Sequence, residues 1–252
     1  MTTQEALFEY TLRRADDTLI LGHRISEWCG HGPILEEDIA LTNLALDLIG
    51  QATEFYQHAA KVEGKGRTED DLAFLRIERE YKNVLLVEQT NGDFGKTITR
   101  SFFFDHFQLL LFERLQHSKD EQLAAIAEKS LKEVKYHVKH NSEWLIRLGD
   151  GTEESHKRVQ ESVTDLSRFI DELFYQDEVD ELLIKEGIAF DTTSFRETYE
   201  KNIQQILKQA TLQLPEKKWQ LDGGRKGIHS EHLGFLLTEL QYMQRTYPNM
   251  EW

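Results

Sequence analysis

Cysteine and long apolar runs are almost absent from the chain. Cys29 is the single cysteine, so the sequence excludes a disulfide framework and any cysteine-rich zinc or iron–sulfur site. No segment approaches the roughly 20 consecutive apolar residues of a membrane-spanning helix, and residues 1–10 lack the apolar core of a signal peptide. We therefore expect a cytoplasmic protein that has no membrane partner.

Proline and positive charge are also scarce. None of the 3 prolines interrupts a long periodic segment, which favours a mostly α-helical fold because proline breaks both helices and sheet ladders. The net charge of −15 argues against nucleic acid as a partner, because a negative surface repels phosphates. With 252 residues, no strand-like alternation and no internal repeat, the chain is expected to form a single helical domain over residues 1–252.

Apolar residues recur at helical spacing along most of the chain. This periodicity predicts helices near residues 5–28, 35–62, 69–87, 94–117, 120–148, 153–174, 177–188, 193–209 and 230–245, with residues 212–214 briefly extended. The helix at 94–117 is the most apolar and should be nearly surrounded by other elements. The helix at 35–62 also carries a polar stripe, interpreted as a solvated face or a polar interface, which consists of Asn43, Asp47, Gln51, Glu54 and His58.

Two segments look like the places where a ferritin-like bundle carries its metal motifs. Such bundles bind two metal ions with a glutamate from each of two helices and a Glu-x-x-His motif from each of two others. Residues three apart share one helix face, so the carboxylate and the imidazole converge on one ion. Here Leu48 and Gln51 occupy the first pair of positions, and Val134 and His137 occupy the second. The pattern predicts a bundle that has kept this frame and lost the metal site.

A glycine-rich basic loop lies at residues 222–229. Glycine lets backbone N–H groups approach an anion, and a helix N-terminus favours one, but the spacing is not that of a phosphate-binding P-loop. We interpret the segment as a flexible basic loop that caps or docks against a partner. The alternative is contact with the phosphates of a large anionic substrate that a partner holds. In either case the contact residues are expected to be Arg225, Lys226 and His229.

Four segments resemble the C subunits of bacterial phenylacetyl-CoA epoxidases, at residues 25–31, 46–52, 86–94 and 223–234. The resemblance extends over essentially the whole chain. It implies an all-α, ferritin-like helical bundle with additional C-terminal helices, in a multicomponent monooxygenase of aerobic phenylacetate degradation. It also implies that the di-iron centre belongs to a paralogous A subunit. A reductase subunit then supplies electrons from NADPH through FAD and an iron–sulfur cluster, and this chain has no cofactor of its own.

The same resemblance shows where the A subunit's metal ligands fall in this chain. Its two motifs fall on residues 47–51 and 132–137, so both glutamates and one histidine are absent. Asp105 matches the carboxylate ligand of the fourth helix, and Glu27 is a candidate for the first-helix ligand by proximity only. Asp105 and His137 remain, which is too few for two metal ions. We expect Asp105 to pair with His137 or a nearby lysine, because a buried carboxylate needs a partner.

Two main functions follow from this pattern. The first is a non-catalytic structural subunit that binds the catalytic A subunit and the other epoxidase subunits, including the reductase, with a homodimer as an alternative assembly of the isolated chain. The second is a metal-binding ferritin-like oxygenase with an unconventional site of Asp47, Asp105, His137 and Glu27. A stand-alone binding or storage protein of the same fold is a third. The loss of both glutamates favours the first, so we assign no catalytic or metal-binding residue to the chain.

Overall fold

The computed structural model describes residues 1–216, 219–248 and 250. Its helices are α1 (Thr3–Ser26), α2 (Leu35–Glu63), α3 (Glu69–Phe74), α4 (Leu85–Glu88), α5 (Phe94–Leu115), α6 (Glu121–Gly149), α7 (Glu153–Leu166), α8 (Ile170–Leu173), α9 (Glu178–Glu186), α10 (Arg196–Gln209), α11 (Glu231–Leu240) and α12 (Tyr242–Thr246). Short 3-10 turns lie at Glu78–Glu80, Ser167–Phe169, Thr192–Phe195 and Gly224–Lys226. No strand occurs in the described residues, and residues 212–214 are irregular.

Four long helices, α1, α2, α5 and α6, form the centre of the fold. α1 packs along α2, α5 packs along α6, and α2 also contacts α6, which joins the two helix pairs into a four-helix bundle. α7 and α10 pack against α5 from outside, and α9 packs against α1. This bundle with additional C-terminal helices confirms the predicted all-α fold class. Within the part of the chain that the structure describes, no helix combines the length and apolarity needed to cross a bilayer.

The most enclosed helix is α5, as its apolar sequence predicts. Every residue from Thr97 to Gln108 is buried. Phe107 meets two further aromatic rings, with centroid distances of 5.4 Å to Phe174 and 5.8 Å to Phe195. Burial of one phenylalanine side chain contributes about 1.5–3 kcal/mol, so this aromatic layer holds the C-terminal third of the chain firmly against the bundle.

The long helices begin and end at local signals. Asp93 accepts the N–H of Lys96 at 2.9 Å at the start of α5, and Asp120 accepts the N–H of Leu123 at 2.8 Å at the start of α6. Both carboxylates satisfy free N–H groups and suit the positive end of the helix dipole. α2 ends at Gly64, whose φ of 67° is left-handed and favours glycine. These signals explain why the predicted boundaries of α2, α5 and α6 agree closely with the observed ones.

The predicted helix at residues 69–87 is wrong as a single element. It divides into α3, a 3-10 turn and α4. The division occurs because two adjacent carboxylates of α1 accept hydrogen bonds from the backbone between the 3-10 turn and α4. Asp16 accepts the N–H of Lys82 at 2.7 Å, and Asp17 accepts the N–H of Val84 at 2.9 Å. The two carboxylates therefore bind backbone N–H groups that a continuous helix would need for its own hydrogen bonds.

Two further predicted helices are interrupted. Residues 153–174 divide into α7 and α8 at a 3-10 turn, the tighter geometry in which many helices end. Residues 230–245 divide into α11 and α12 at Gln241. The side-chain amide of Gln241 donates to the carbonyl of Arg76 at 2.9 Å, so this interruption ties the C-terminal helices to the segment that follows α3.

Candidate functional site

The polar stripe of α2 forms a seam with α6, termed the α2–α6 seam. Four of its five side chains pair across the seam, and Asn43 alone among the five is exposed. The contacts are Asp47 Oδ2–His137 Nε2 at 3.1 Å, Gln51 Nε2–Glu133 Oε2 at 2.9 Å, Glu54–Lys129 and His58 Nε2–Asp120 Oδ1 at 3.0 Å, with a fifth pair, Glu37 Oε2–His140 Nε2, at 2.9 Å. Residue numbers of the partners decrease along α6 as they increase along α2, because the two helices run antiparallel. Of the two interpretations of the stripe, the polar interface is therefore correct.

Buried hydrocarbon fills the two positions where the bundle frame would carry glutamates. Leu48 is 1% exposed and Val134 is 0% exposed, and both belong to the same apolar core. Gln51 stands in place of the first histidine, and its amide is occupied on both sides. It donates to Glu133, and Gln108 Nε2 donates to its Oε1 at 3.0 Å. These three positions therefore serve helix packing and helix-to-helix hydrogen bonding.

Asp105 and His137, the two remaining ligand-type residues, take separate partners. Asp105 is buried and accepts from Asn141 Nδ2 at 2.6 Å, whereas His137 lies against Asp47. Burial raises the pKa of Asp105 to about 6, and the nearby His137 and the bond from Asn141 oppose this effect. The expected pairing of Asp105 with His137 or a lysine is corrected by this geometry. Asn141 lies one turn beyond His137 on the same face of α6, and it supplies the hydrogen bond instead.

The donor set of the α2–α6 seam does not fit a two-ion metal centre. Such a centre needs several anionic oxygen donors to balance its charge, and two of the required positions are hydrocarbon. Glu27, the first-helix candidate, accepts instead from Arg24 at 2.8 Å and from Asn91 at 2.8 Å near the end of α1. Among residues 1–216, 219–248 and 250, no group of three or more His, Cys, Asp or Glu side chains is arranged to hold a metal ion.

The glycine-rich basic loop does bind an anion, but the anion belongs to the chain itself. Glu172 Oε1 accepts the N–H of Gly223 at 2.9 Å and that of Gly224 at 2.7 Å, and its Oε2 accepts the N–H of Leu85 at 2.6 Å. Glu172 is 2% exposed, so these donors replace the water that a buried carboxylate has lost. The backbone N–H groups of the loop, which suggested a phosphate site, therefore bind a carboxylate of α8. The same carboxylate also binds α4, so it links the loop to both helices.

Two of the three residues expected to contact a partner or an anion have buried side chains that are paired within the chain, which corrects that expectation. Arg225 binds Asp17 in a two-pronged contact, with Nη1–Oδ1 at 3.0 Å and Nη2–Oδ2 at 2.7 Å. His229 Nδ1 lies 2.8 Å from Glu88 Oε2. Only Lys226 of the three is exposed. The partner carboxylates lie 208 and 141 residues earlier in the chain, so no local sequence signal reveals them.

Comparisons with known proteins agree with the fold. A protein-family model described as "Phenylacetic acid catabolic protein" matches residues 1–252. The chain is also 48% identical over 246 residues to the C subunit of the 1,2-phenylacetyl-CoA epoxidase of Escherichia coli (strain K12). That alignment covers 98% of this chain and 99% of the relative. The similarity therefore includes both the α2–α6 seam and the C-terminal loop.

Proposed function

Because the chain belongs to the phenylacetic acid catabolic protein family, we propose that it is the C subunit of a 1,2-phenylacetyl-CoA epoxidase and pairs with a di-iron subunit of the same fold. In this proposal the chain is not catalytic. The di-iron centre belongs to the partner A subunit, and the NADPH, FAD and iron–sulfur chemistry belongs to the reductase.

The observation that carries the non-catalytic role is the hydrocarbon at Leu48 and Val134. Oxygen activation at two iron ions requires carboxylates that neutralise the ions and bridge between them. Side chains that are 1% and 0% exposed and purely apolar supply neither charge nor coordination. The seam residues that can ligate a metal are already engaged in contacts with other side chains, so direct protein contacts join the two helices along the seam.

The α2–α6 seam gives this subunit its structural role. Where a catalytic paralogue would tie its helices together through metal ions, this chain uses direct side-chain contacts such as Asp47–His137 and Glu37–His140. The side chains of both pairs are buried or partly buried, so water competes for these contacts less than it does at the surface. A bundle held in this way presents fixed helix faces to a partner, which suits a subunit that keeps the partner's substrate pocket in shape.

Reconstitution of the epoxidase with and without this chain tests the proposal. The purified A subunit, the reductase and the remaining subunits from the same organism are mixed with NADPH and phenylacetyl-CoA, and turnover is measured. We expect full activity only when the chain is present, no turnover by the chain alone, and co-purification of the chain with a tagged A subunit. The proposal is wrong if the chain stays monomeric and never retains the A subunit, or if the chain alone turns over the substrate.

A further inference from the structure

The outer face of α2 carries almost no charge, although 30% of the chain is charged. Between residues 35 and 57, the exposed residues of α2 are Glu36 at the helix start and seven uncharged residues. These seven, termed the α2 outer face, are Leu35, Ile39, Asn43, Leu46, Gly50, Thr53 and Gln57. Three of them are large aliphatic side chains that are 71%, 53% and 61% exposed, namely Leu35, Ile39 and Leu46. Their spacing of three and four residues places all seven on one line along the helix.

The neighbouring helix α6 shows how much charge another exposed helix of this protein carries. α6 has the same length as α2, 29 residues. Eight of the eleven exposed side chains of α6 are charged, against two of the nine on α2. A helix that faces water normally carries charged and polar residues opposite its buried stripe. The outer face of α2 departs from that rule over roughly 33 Å, at 1.5 Å per residue.

Gly50, near the middle of this face, is a second and independent indication that the α2 outer face contacts another chain. Glycine weakens the interior of a helix relative to alanine, so a mid-helix glycine needs a reason. The chain itself provides none, because a Cβ at Gly50 would meet no atom within 4 Å. A glycine on an exposed helix face lets another backbone approach closely, as at small-residue helix crossings. A backbone that approaches Gly50 this closely would therefore belong to another chain.

The edge of the α2 outer face that lies next to α6 indicates the chemistry of the surface that would bind there. Tyr136 is 49% exposed, and its ring centroid lies 6.1 Å from that of His140 at the α2–α6 seam. Tyrosine is enriched at protein interfaces. Beyond it, α6 exposes Lys132, Lys135 and Lys139. One helix face falls short of the roughly 800 Å² per partner of a stable interface, so a bound partner needs further contacts beside it, and this lysine edge offers them to acidic side chains.

We propose that the α2 outer face, together with Tyr136, is the docking surface for an uncharged helix face of the partner epoxidase subunit, and that acidic side chains of that partner meet the lysine edge of α6. The identity of the occupant rests on the proposed function. A second copy of the chain fits less well, because an antiparallel two-fold pairing of α2 helices would set the lysine edges of the two copies against each other.

The test uses Gly50→Lys and Leu46→Lys in the full-length chain, with the purified A subunit as the probe. Both positions are exposed, and Gly50→Lys replaces glycine by a better helix former. We therefore expect its melting temperature to be unchanged or raised while its affinity for the A subunit falls about tenfold or more. The matched control is Phe235→Lys, a 69% exposed apolar residue on α11, which should bind like the wild type.

Each other outcome has a distinct meaning. If the wild type binds the A subunit and both α2 variants bind equally well, the docking surface is wrong while the proposed function stands. Equal losses in the α2 variants and in Phe235→Lys also overturn the assignment to α2. If the wild type does not bind the A subunit, the proposed function and this surface fail together. If the isolated chain dimerises and Gly50→Lys makes it monomeric, the occupant is a second copy rather than the A subunit.

Discussion

His229 and Glu88 form an ion pair in which both side chains are completely buried. His229 Nδ1 lies 2.8 Å from the Glu88 carboxylate, and its Nε2 lies 2.9 Å from the carbonyl oxygen of Tyr81. Both neighbours accept hydrogen bonds, so both ring nitrogens carry a proton and the ring is an imidazolium. Burial lowers the pKa of His229, but the hydrogen bond to Glu88 and its charge outweigh burial and raise the pKa above the ordinary value. This pair fastens the C-terminal loop to α4.

The first prediction concerns the pH dependence of this pair. We expect His229→Gln to lower the free energy of unfolding by about 3 kcal/mol at pH 6, because it leaves a buried carboxylate without its counter-charge. The pKa of folded His229 is raised. Its contribution is therefore complete below the ordinary histidine pKa of about 6.5 and is lost as the pH rises through the folded-state value. Urea unfolding of both proteins from pH 6 to pH 9 should show a difference that shrinks with rising pH. A constant difference contradicts the imidazolium assignment.

The second prediction compares two glycines. Gly224→Ala should lower the free energy of unfolding by about 2 kcal/mol, because a Cβ there would lie 2.0 Å from the carbonyl oxygen of Asn83. Gly50→Ala is the matched control, since its Cβ would touch nothing within 4 Å and alanine is the better helix former by about 1 kcal/mol. Thermal unfolding should therefore shift in opposite directions for the two variants. A shift in the same direction for both contradicts the close packing of the loop against the segment before α4.

The third prediction tests whether the surviving carboxylate at Asp105 acts in the reaction. Its pKa in the folded protein is about 6, against 3.8 for an ordinary aspartate, so folding disfavours the ionised form and stability falls as the pH rises between these values. Asp105→Asn should therefore raise the free energy of unfolding at pH 7.5 by about 1–2 kcal/mol. Turnover of the reconstituted epoxidase should not change. Lost turnover in a variant of equal or higher stability shows that the carboxylate takes part in the chemistry.

The fourth prediction concerns the missing glutamate at position 134. Val134 is completely buried, so Val134→Glu places a carboxyl group among hydrocarbon and should cost several kcal/mol, roughly 3 or more. Val134→Ala, the control, loses two methyl groups and should cost about 2 kcal/mol. Urea unfolding at pH 7.5 measures both. If Val134→Glu is as stable as Val134→Ala, the surroundings of residue 134 already accommodate a carboxylate. The conclusion that the bundle has lost its metal site is then wrong.

The long helices of the bundle were predictable because their signals are local. Apolar spacing and the caps at Asp93, Asp120 and Gly64 lie within or beside the helices that they define. The loss of ligand-type residues at Leu48 and Val134 could also be predicted, because the three-residue spacing of the motif is a property of one helix.

The interactions that decide the rest join residues far apart in sequence. The helix expected at residues 69–87 is divided by carboxylates of α1 that no feature of those residues announces. Arg225 and His229 look available for an anion until the fold brings Asp17 and Glu88 to them. These two buried carboxylates attach the basic loop to the rest of the chain, and the sequence of the loop itself does not reveal them.

Iron content per chain, counted after anaerobic loading of the purified protein with Fe(II) and removal of loosely bound metal, tests the non-catalytic role most directly. The A subunit, loaded in parallel, is the positive control. The hydrocarbon at Leu48 and Val134 predicts a value near zero for this chain and near two for the A subunit. A value near two for this chain contradicts the account, and loss of that iron in Asp105→Asn would then identify the first ligand.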